Sequence, residues 1–530
     1  MNNQFYIRIF TLLTFIGAMV TSCVSTHKQD SAQQVSAYYT EPYRPQYHFT
    51  PDSMWMNDPN GMVFYDGEYH LFYQYYPDST VWGPMHWGHA ISTDLTHWEH
   101  LPIAIYPDSL GWIFSGSAVV DWKNTSGLGN HENPPLIAVF TYHFSPGQKA
   151  GKIDFQTQGM AYSLDKGRTW KMYEENPVLN NPGIQDFRDP KVCWYEEGQK
   201  WIMTLAVKDH ISFYSSANLK SWVHESDFGF GVGAHGGVWE CPDLFKMKGP
   251  DGVEKWVLFV SINPGGPNGG SATQYFIGDF NGSEFINENP SSDPVWLDWG
   301  KDNYAGVTWS DIPKEDGRRI FMGWMSNWQY ATVVPTQKWR SGMTMPRTVK
   351  LLYKDSMYLI AAEPVEEIEA VLKHEQAQQV AGIDITQQST EIFESKVRGG
   401  AWMSVLKMNA MDSKTIRLTM KNANNEEASL ILHVPDGKVE FDRTKAGKRD
   451  FSEDFAQPII GNYAFADSTV IKVEMYWDEN GFEIFVNDGE FQMTNLVFPN
   501  DNWNCIELSS DDRAQLVEAS YIPIRKTWVR

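Results

Sequence analysis

Short runs of alternating apolar and polar residues, broken by polar turns, fill most of this chain and predict strands rather than helices. One turn pattern recurs. Ser92-Thr93-Asp94-Leu95-Thr96-His97-Trp98 is echoed by Ser163-Leu164-Asp165-Lys166-Gly167-Arg168-Thr169-Trp170 and by Ser216-Ala217-Asn218-Leu219-Lys220-Ser221-Trp222, and Gly278-Asp279-Phe280-Asn281-Gly282 follows at similar spacing. A repeat every roughly 40 to 70 residues, built of short strands and turns, predicts propeller blades, each a small antiparallel sheet. Past Arg347 the texture changes. Apolar residues at helical spacing across 364–372 predict a short connecting helix. Alternating strands follow at 415–420, 430–434, 438–441, 470–477 and 482–486, the last two joined by a turn at Asn480-Gly481. Closely spaced strands without helices predict a β-sandwich.

The start of the chain reads differently. Arg8 precedes an apolar run over 9–20, too short for a comfortable membrane span and suited to a signal peptide. Val20-Thr21-Ser22-Cys23 then resembles a bacterial lipobox, in which Cys23 becomes the lipidated first residue. The expected organisation is a lipoprotein signal peptide over 1–23, a flexible tether over 24–40, a propeller over 41–355, a linker with a short helix over 356–376 and a sandwich over 377–530. This places the protein in a bacterial cell envelope, lipid-anchored on the periplasmic or outer side.

Charge narrows the partners. The net charge of −23 and pI near 5.0 exclude a nucleic-acid binder, which needs a basic face for phosphates. Membrane contact is expected through the lipid alone. With 530 residues, 42% of them hydrophobic, the chain can bury a large core in more than one domain. Apart from Cys23, the cysteines are Cys193, Cys241 and Cys505, too few for a closed disulfide framework and too scattered for zinc. No metal, cofactor or structural disulfide is expected.

Three acids stand in unusual company. Asp58 lies in Trp55-Met56-Asn57-Asp58-Pro59-Asn60-Gly61, Asp189 in Phe187-Arg188-Asp189-Pro190, and Glu240 in Trp239-Glu240-Cys241-Pro242. Taken alone, the first string also reads as a turn and Arg188-Asp189 as a surface ion pair. Together they put three carboxylates beside bulky or rigid neighbours, where an acid costs most to desolvate unless it works.

In that order the three strings resemble the signature motifs of glycoside hydrolase family 32, the fructan hydrolases and invertases. Phe72-Tyr73-Gln74-Tyr75, Trp82-Gly83-Pro84-Met85-His86-Trp87-Gly88-His89-Ala90, Phe114-Ser115-Gly116-Ser117 and Gly323-Trp324-Met325-Ser326-Asn327-Trp328 also look like family positions, and the resemblance spans 41–350. It implies an all-β fold, a five-bladed propeller followed by a β-sandwich, with Asp58, Asp189 and Glu240 converging in an axial funnel. It further implies hydrolysis with retention: Asp58 as nucleophile forming a covalent fructosyl-enzyme, Glu240 as acid and then base, and Asp189 as stabiliser of the oxocarbenium-like transition state. Sugar contacts are implied for Trp55, Asn57, Gln74, Trp82, Phe114, Ser115, Arg188 and Trp324.

Crowding of Glu240 by Asp58 and Asp189 is expected to raise its pKa, and Cys241 is expected to pack the pocket wall. The implied substrates are β-fructans, levan and inulin, and sucrose, cut from the end. An endo-acting levanase is the alternative, and a fructan-binding protein without catalysis a third reading that predicts loss of an acid. Tyr76-Pro77 and Asn303-Tyr304 depart from the usual family pattern and are expected near the rim, while the insertion-like segment 144–155 would block or build a groove. The sandwich is expected to pack rather than to bind sugar.

Overall fold

The computed structural model describes residues 39–288, 293–395, 400–465 and 470–528. Strands dominate, and Ser145–Lys149 is the only α-helix among the described residues. Five antiparallel sheets follow one another along the chain, with first strands Met54–Tyr65, Trp112–Val120, Phe187–Tyr195, Val238–Lys248 and Tyr304–Thr308. These five strands touch in chain order, and the fifth touches the first, so the sheets close into a ring around a common axis. Chain closure is made by Trp339–Arg340, which pairs in parallel with Met54–Tyr65 of the first sheet. Nearly every position of the second strands is buried on both faces, because each sheet is covered by its two neighbours.

The recurring turn marks the outer edge of the blades. Ser92, Ser163 and Ser216 each end the third strand of a sheet. Their turns are closed by short side chains that accept backbone N–H bonds. Asp94 takes those of Thr96 and His97, Asp165 that of Thr169, and Asn218 those of Lys220 and Ser221. Asn281 does the same for Ser283 and Glu284 after the fourth blade's third strand. The repeat therefore encodes one local device, an Asx-type turn into each outermost strand.

Two six-stranded antiparallel sheets form the sandwich, and their inner faces bury a continuous core that includes Trp402, Leu418, Phe441, Trp477 and Ile484. The predicted strands fall within or across Thr415–Lys421, Glu427–His433, Lys438–Lys445, Val470–Asp478 and Gly481–Val486. The turn is shifted by one residue: Gly481 pairs with Asp478, leaving Glu479 and Asn480 as its two residues.

Three expected boundaries change. Met357–Pro364 pairs along its whole length with Arg347–Lys354, so the propeller's last hairpin runs to Pro364 and the boundary at 355 cuts through it. The helix expected over 364–372 is a 3-10 turn, Glu366–Val371, that buries Ile368 and Val371. Thr40 and Tyr39 belong to the folded body rather than the tether, since Tyr39 is buried and stacks against Trp528 and Arg44. Cys23 and the signal segment lie outside the described residues.

Buried ion networks lock the sandwich to the propeller. Arg347 donates to Asp298 in the propeller and to Glu483 and Thr494 in the sandwich, while Arg443 of the sandwich donates to Asp302 and Tyr330 of the propeller. His48 sits between Asp478 and Glu483 at 2.9 and 2.8 Å.

Candidate active site

All five innermost strands break register near their first residues. The ladder slips between Met56 and Pro59, between Ile113 and Gly116, opposite Arg188 to Lys191, between Glu240 and Asp243, and between Tyr304 and Val307. Those slips hold Asp58, Ser115, Asp189 and Cys241, with Glu240 and Tyr304 at their edges. A bulge frees a strand from alternation and re-aims a side chain, which is how five strands turn polar groups toward one axis. The cost is visible in the backbone: Asp189, Cys241 and Ala305 hold φ values of +63°, +45° and +54°. Non-glycine residues rarely adopt that region, and strain of this kind collects at functional sites.

A cavity of about 440 Å³ opens there, lined by Asp58, Asp189 and Glu240 together. Asp58 is held on both oxygens, by Asn57 Nδ2 at 3.0 Å and Ser115 Oγ at 2.8 Å. Burial, and then the charge of Glu240, push its pKa up, against the two hydrogen bonds. Asp189 Oδ2 accepts the backbone N–H of Cys241 at 3.1 Å. Burial raises this acid as well, with Glu240 and Asp58 adding to the rise and Arg188 opposing it.

Glu240 is gripped from two sides. Arg188 donates to its Oε1 from Nε at 3.1 Å and from Nη2 at 2.9 Å, and the Tyr304 hydroxyl donates to Oε2. The expectation for this acid counted its carboxylate neighbours and its desolvation beside Trp239 and Cys241; the structure adds a cation and a phenol. Cys241 stands between the other two acids, its Sγ 3.8 Å from Asp58 and 3.6 Å from Asp189, and burial pushes its thiol well up. It is buried behind the acids and is not among the residues that line the cavity, where it was expected.

Of the residues singled out for sugar contact, Asn57, Gln74, Trp82, Phe114, Ser115 and Arg188 line the cavity. Phe114 stacks on His143 with ring centroids 4.2 Å apart, and Trp82 meets Phe114 edge-on at the exposed lip. Trp55 and Trp324 do not line it. Both are fully buried, and Trp328 stands in front of them, 5.8 and 4.9 Å from their ring centres. Trp55 instead donates its Nε1 to Asn57 Oδ1, orienting the amide that holds Asp58.

Models described as glycosyl hydrolases family 32 match the chain twice, the N-terminal domain over 48–364 and the C-terminal domain over 367–522. The chain belongs to glycosyl hydrolase family 32. Its family relatives include the levanase of Bacillus subtilis, 42% identical over 98% of this chain and 75% of the relative. The crystal structure of exo-inulinase from Aspergillus awamori superposes with a TM-score of 0.84 at 34% identity, covering 92% of this chain and all of the other. A fructofuranosidase from Schwanniomyces occidentalis complexed with fructosylnystose matches with a TM-score of 0.83 at 31% identity, over 93% of this chain and 99% of that one. As a member of family 32 the protein is a glycosidase.

Several site residues were invisible in the sequence. Tyr304 and Asn303 are buried, not at the rim: Tyr304 reaches Glu240, and Asn303 Nδ2 holds Asp298 at 3.0 Å. Segment 144–155 turns out to be wall. Its helix Ser145–Lys149 brings Gln148 within 3.1 Å of His143, and Phe155 lines the cavity beside it. Asp186, bonded to Arg188 at 2.5 Å, carries no motif of its own. The one available signal near Tyr304 was the departure from the family pattern at Asn303, beside it.

Proposed function

We propose that this glycosidase is an exo-acting, retaining β-fructosidase that releases terminal fructose from levan, inulin and sucrose. The observation that carries the reading is the meeting of Asp58 and Glu240 in one cavity, each held by its own pair of donors. An Asp58 oxygen attacks the anomeric carbon of the terminal fructosyl unit as the bond from that carbon to the leaving oxygen breaks. Glu240 gives its proton to that oxygen. Water then attacks the same carbon, loses its proton to Glu240, and the bond to Asp58 breaks.

Hydrogen bonds support the nucleophile's role. Ser115 and Asn57 donate to the two oxygens of Asp58 and favour its charged form, against the rise that burial and the charge of Glu240 impose. Asp189 accepts hydroxyls of the fructosyl ring beside Arg188, and Trp82, Phe114 and Gln74 form the sugar-facing wall. Trp328 takes the place first given to Trp324, with Trp55 and Trp324 as its backing.

The family relatives named levanase and exo-inulinase support the choice of substrate. End-on cutting rests on the levanase and exo-inulinase relatives, with Gln148 and Phe155 of segment 144–155 standing on one side of the cavity. We further infer a five-bladed propeller domain from 41 to 364, a sandwich after it, and an envelope anchor through a lipid on Cys23. A time course of products from levan, inulin and sucrose tests the function. Fructose alone is expected; a ladder of oligosaccharides would make the enzyme endo-acting, and no release would leave only binding. Cys23→Ser should move the protein out of the membrane fraction.

A further inference from the structure

The innermost strands run from the acid site to a second cavity at their far ends, about 700 Å³ in volume and sharing no lining residue with the first. Its open lip carries Trp122, which is 54% exposed. The indole is not loose: Nε1 donates to Asp311 at 2.9 Å, which fixes the ring while leaving it presented to solvent. A large, pinned and exposed aromatic is costly to display without a partner.

Two polar groups of the lining are left underused. Asp243 is fully buried; its Oδ2 takes the Thr308 N–H at 2.5 Å and faces Lys191 at 3.4 Å, while its Oδ1 has no hydrogen-bond partner. Arg319, half-buried over the ring of Phe245, has five N–H donors and makes a single long bond, 3.5 Å, to the carbonyl of Trp309. Asp243 is out of a ligand's reach, whereas the spare donors of Arg319 stand at the cavity wall, where the hydroxyls of a suitable ligand can accept from them.

The lining sets the chemistry of that ligand. Four carboxylates, Asp66, Glu196, Asp243 and Asp311, stand against the five cationic side chains of the same cavity, so neither an anion nor a cation finds a one-signed field. Hydroxyls donate and accept, and the C–H face of a sugar stacks on an indole. We propose that the far-end cavity is a second, non-catalytic saccharide site that stacks a neutral sugar on Trp122 and bonds its hydroxyls to Arg319. The site tethers a polysaccharide chain and raises its local concentration at the acid site. The choice of fructan as its sugar rests on the function proposed above.

The test is calorimetric titration of full-length protein carrying Asp58→Asn, so that the sugar survives, with a short inulin-type fructo-oligosaccharide. Two sites are expected, and adding Trp122→Ala should remove one and leave the affinity of the other unchanged; Arg319→Gln should weaken the same site. In the otherwise unaltered enzyme, Trp122→Ala should leave kcat/KM on sucrose unchanged and lower the rate on dilute long-chain levan several-fold. One site only, insensitive to Trp122→Ala, would overturn the second site alone. Inorganic phosphate taking the Trp122-dependent site in place of sugar would also overturn it. Absence of binding at either end would instead sink the fructan reading together with this one.

Discussion

Tyr304 and Arg188 hold opposite oxygens of Glu240, the phenol on Oε2 and the guanidinium on Oε1. A carboxyl group fixed on both oxygens keeps one orientation, so the geometry that the proposed acid role requires is set before substrate arrives. Replacing Glu240 by Gln keeps the shape and removes the proton. A fall in kcat of about 10²- to 10⁴-fold is expected on sucrose, the range for losing a general acid. Near-normal turnover of the Gln variant would remove Glu240 from the mechanism.

Tyr304→Phe deletes one hydrogen bond to Glu240, worth about 0.5–1.5 kcal/mol. A loss of roughly 2- to 13-fold in kcat/KM follows from that range if the bond is kept through the transition state. Steady-state kinetics on sucrose, with circular dichroism to show an unchanged fold, make the measurement.

The sandwich reaches the acid through this same tyrosine. Arg443 and the backbone of Leu496 hold Asp302, two residues before Tyr304, and Thr494 holds Asp298. Arg443→Met leaves Asp302 buried without its cation, which is expected to cost about 3–5 kcal/mol of stability. At a temperature where the variant is still folded, kcat should fall more than KM changes. Combining it with Tyr304→Phe should add less than the two separate losses, because both act on one side chain.

Asp58 and Asp189 both have raised pKa values, burial being the first cause. The folded state therefore holds protons that the unfolded chain releases, and stability falls as pH rises from the ordinary carboxylate value near 3.8 through the raised one. Asp189→Asn should raise the Tm at neutral pH while abolishing most activity, and the gain should vanish below about pH 3.8, where both states are protonated. Thermal scans against pH test this; a variant less stable than its parent at pH 7 contradicts it.

His48 supplies the opposite pH dependence. Burial alone lowers its pKa, but hydrogen bonds and charges from Asp478 and Glu483 outweigh that and lift it to about 9. A histidine raised in the folded state stabilises fully below its ordinary value of 6.5, and the benefit is lost as pH climbs through about 9. Unfolding midpoints should drop across that window, and His48→Gln should flatten the drop.

Cys241 touches two of the acids yet is no nucleophile, since burial and the neighbouring carboxylates hold its thiol protonated. Iodoacetamide at pH 7 should leave activity intact over hours, and Cys241→Ala should keep the retaining mechanism.

Much of this molecule is written locally. Alternation of apolar residues dictated strands, and an Asx turn after Ser92, Ser163 and Ser216 dictated where each blade folds back, because those choices involve neighbours a few residues apart. The three acids were legible for the same reason: each sits in its own short string of rigid or bulky residues. Tyr304, Asp186 and Gln148 were not legible, and Trp55 and Trp324 were misplaced, because their roles depend on which strands end up side by side around the axis. Closing the ring brings residues more than a hundred positions apart within hydrogen-bond reach, and the bulges in the innermost strands then decide which side chains face the cavity. Pairing across such distances is set by the packing of whole sheets, a property no short stretch of the chain contains.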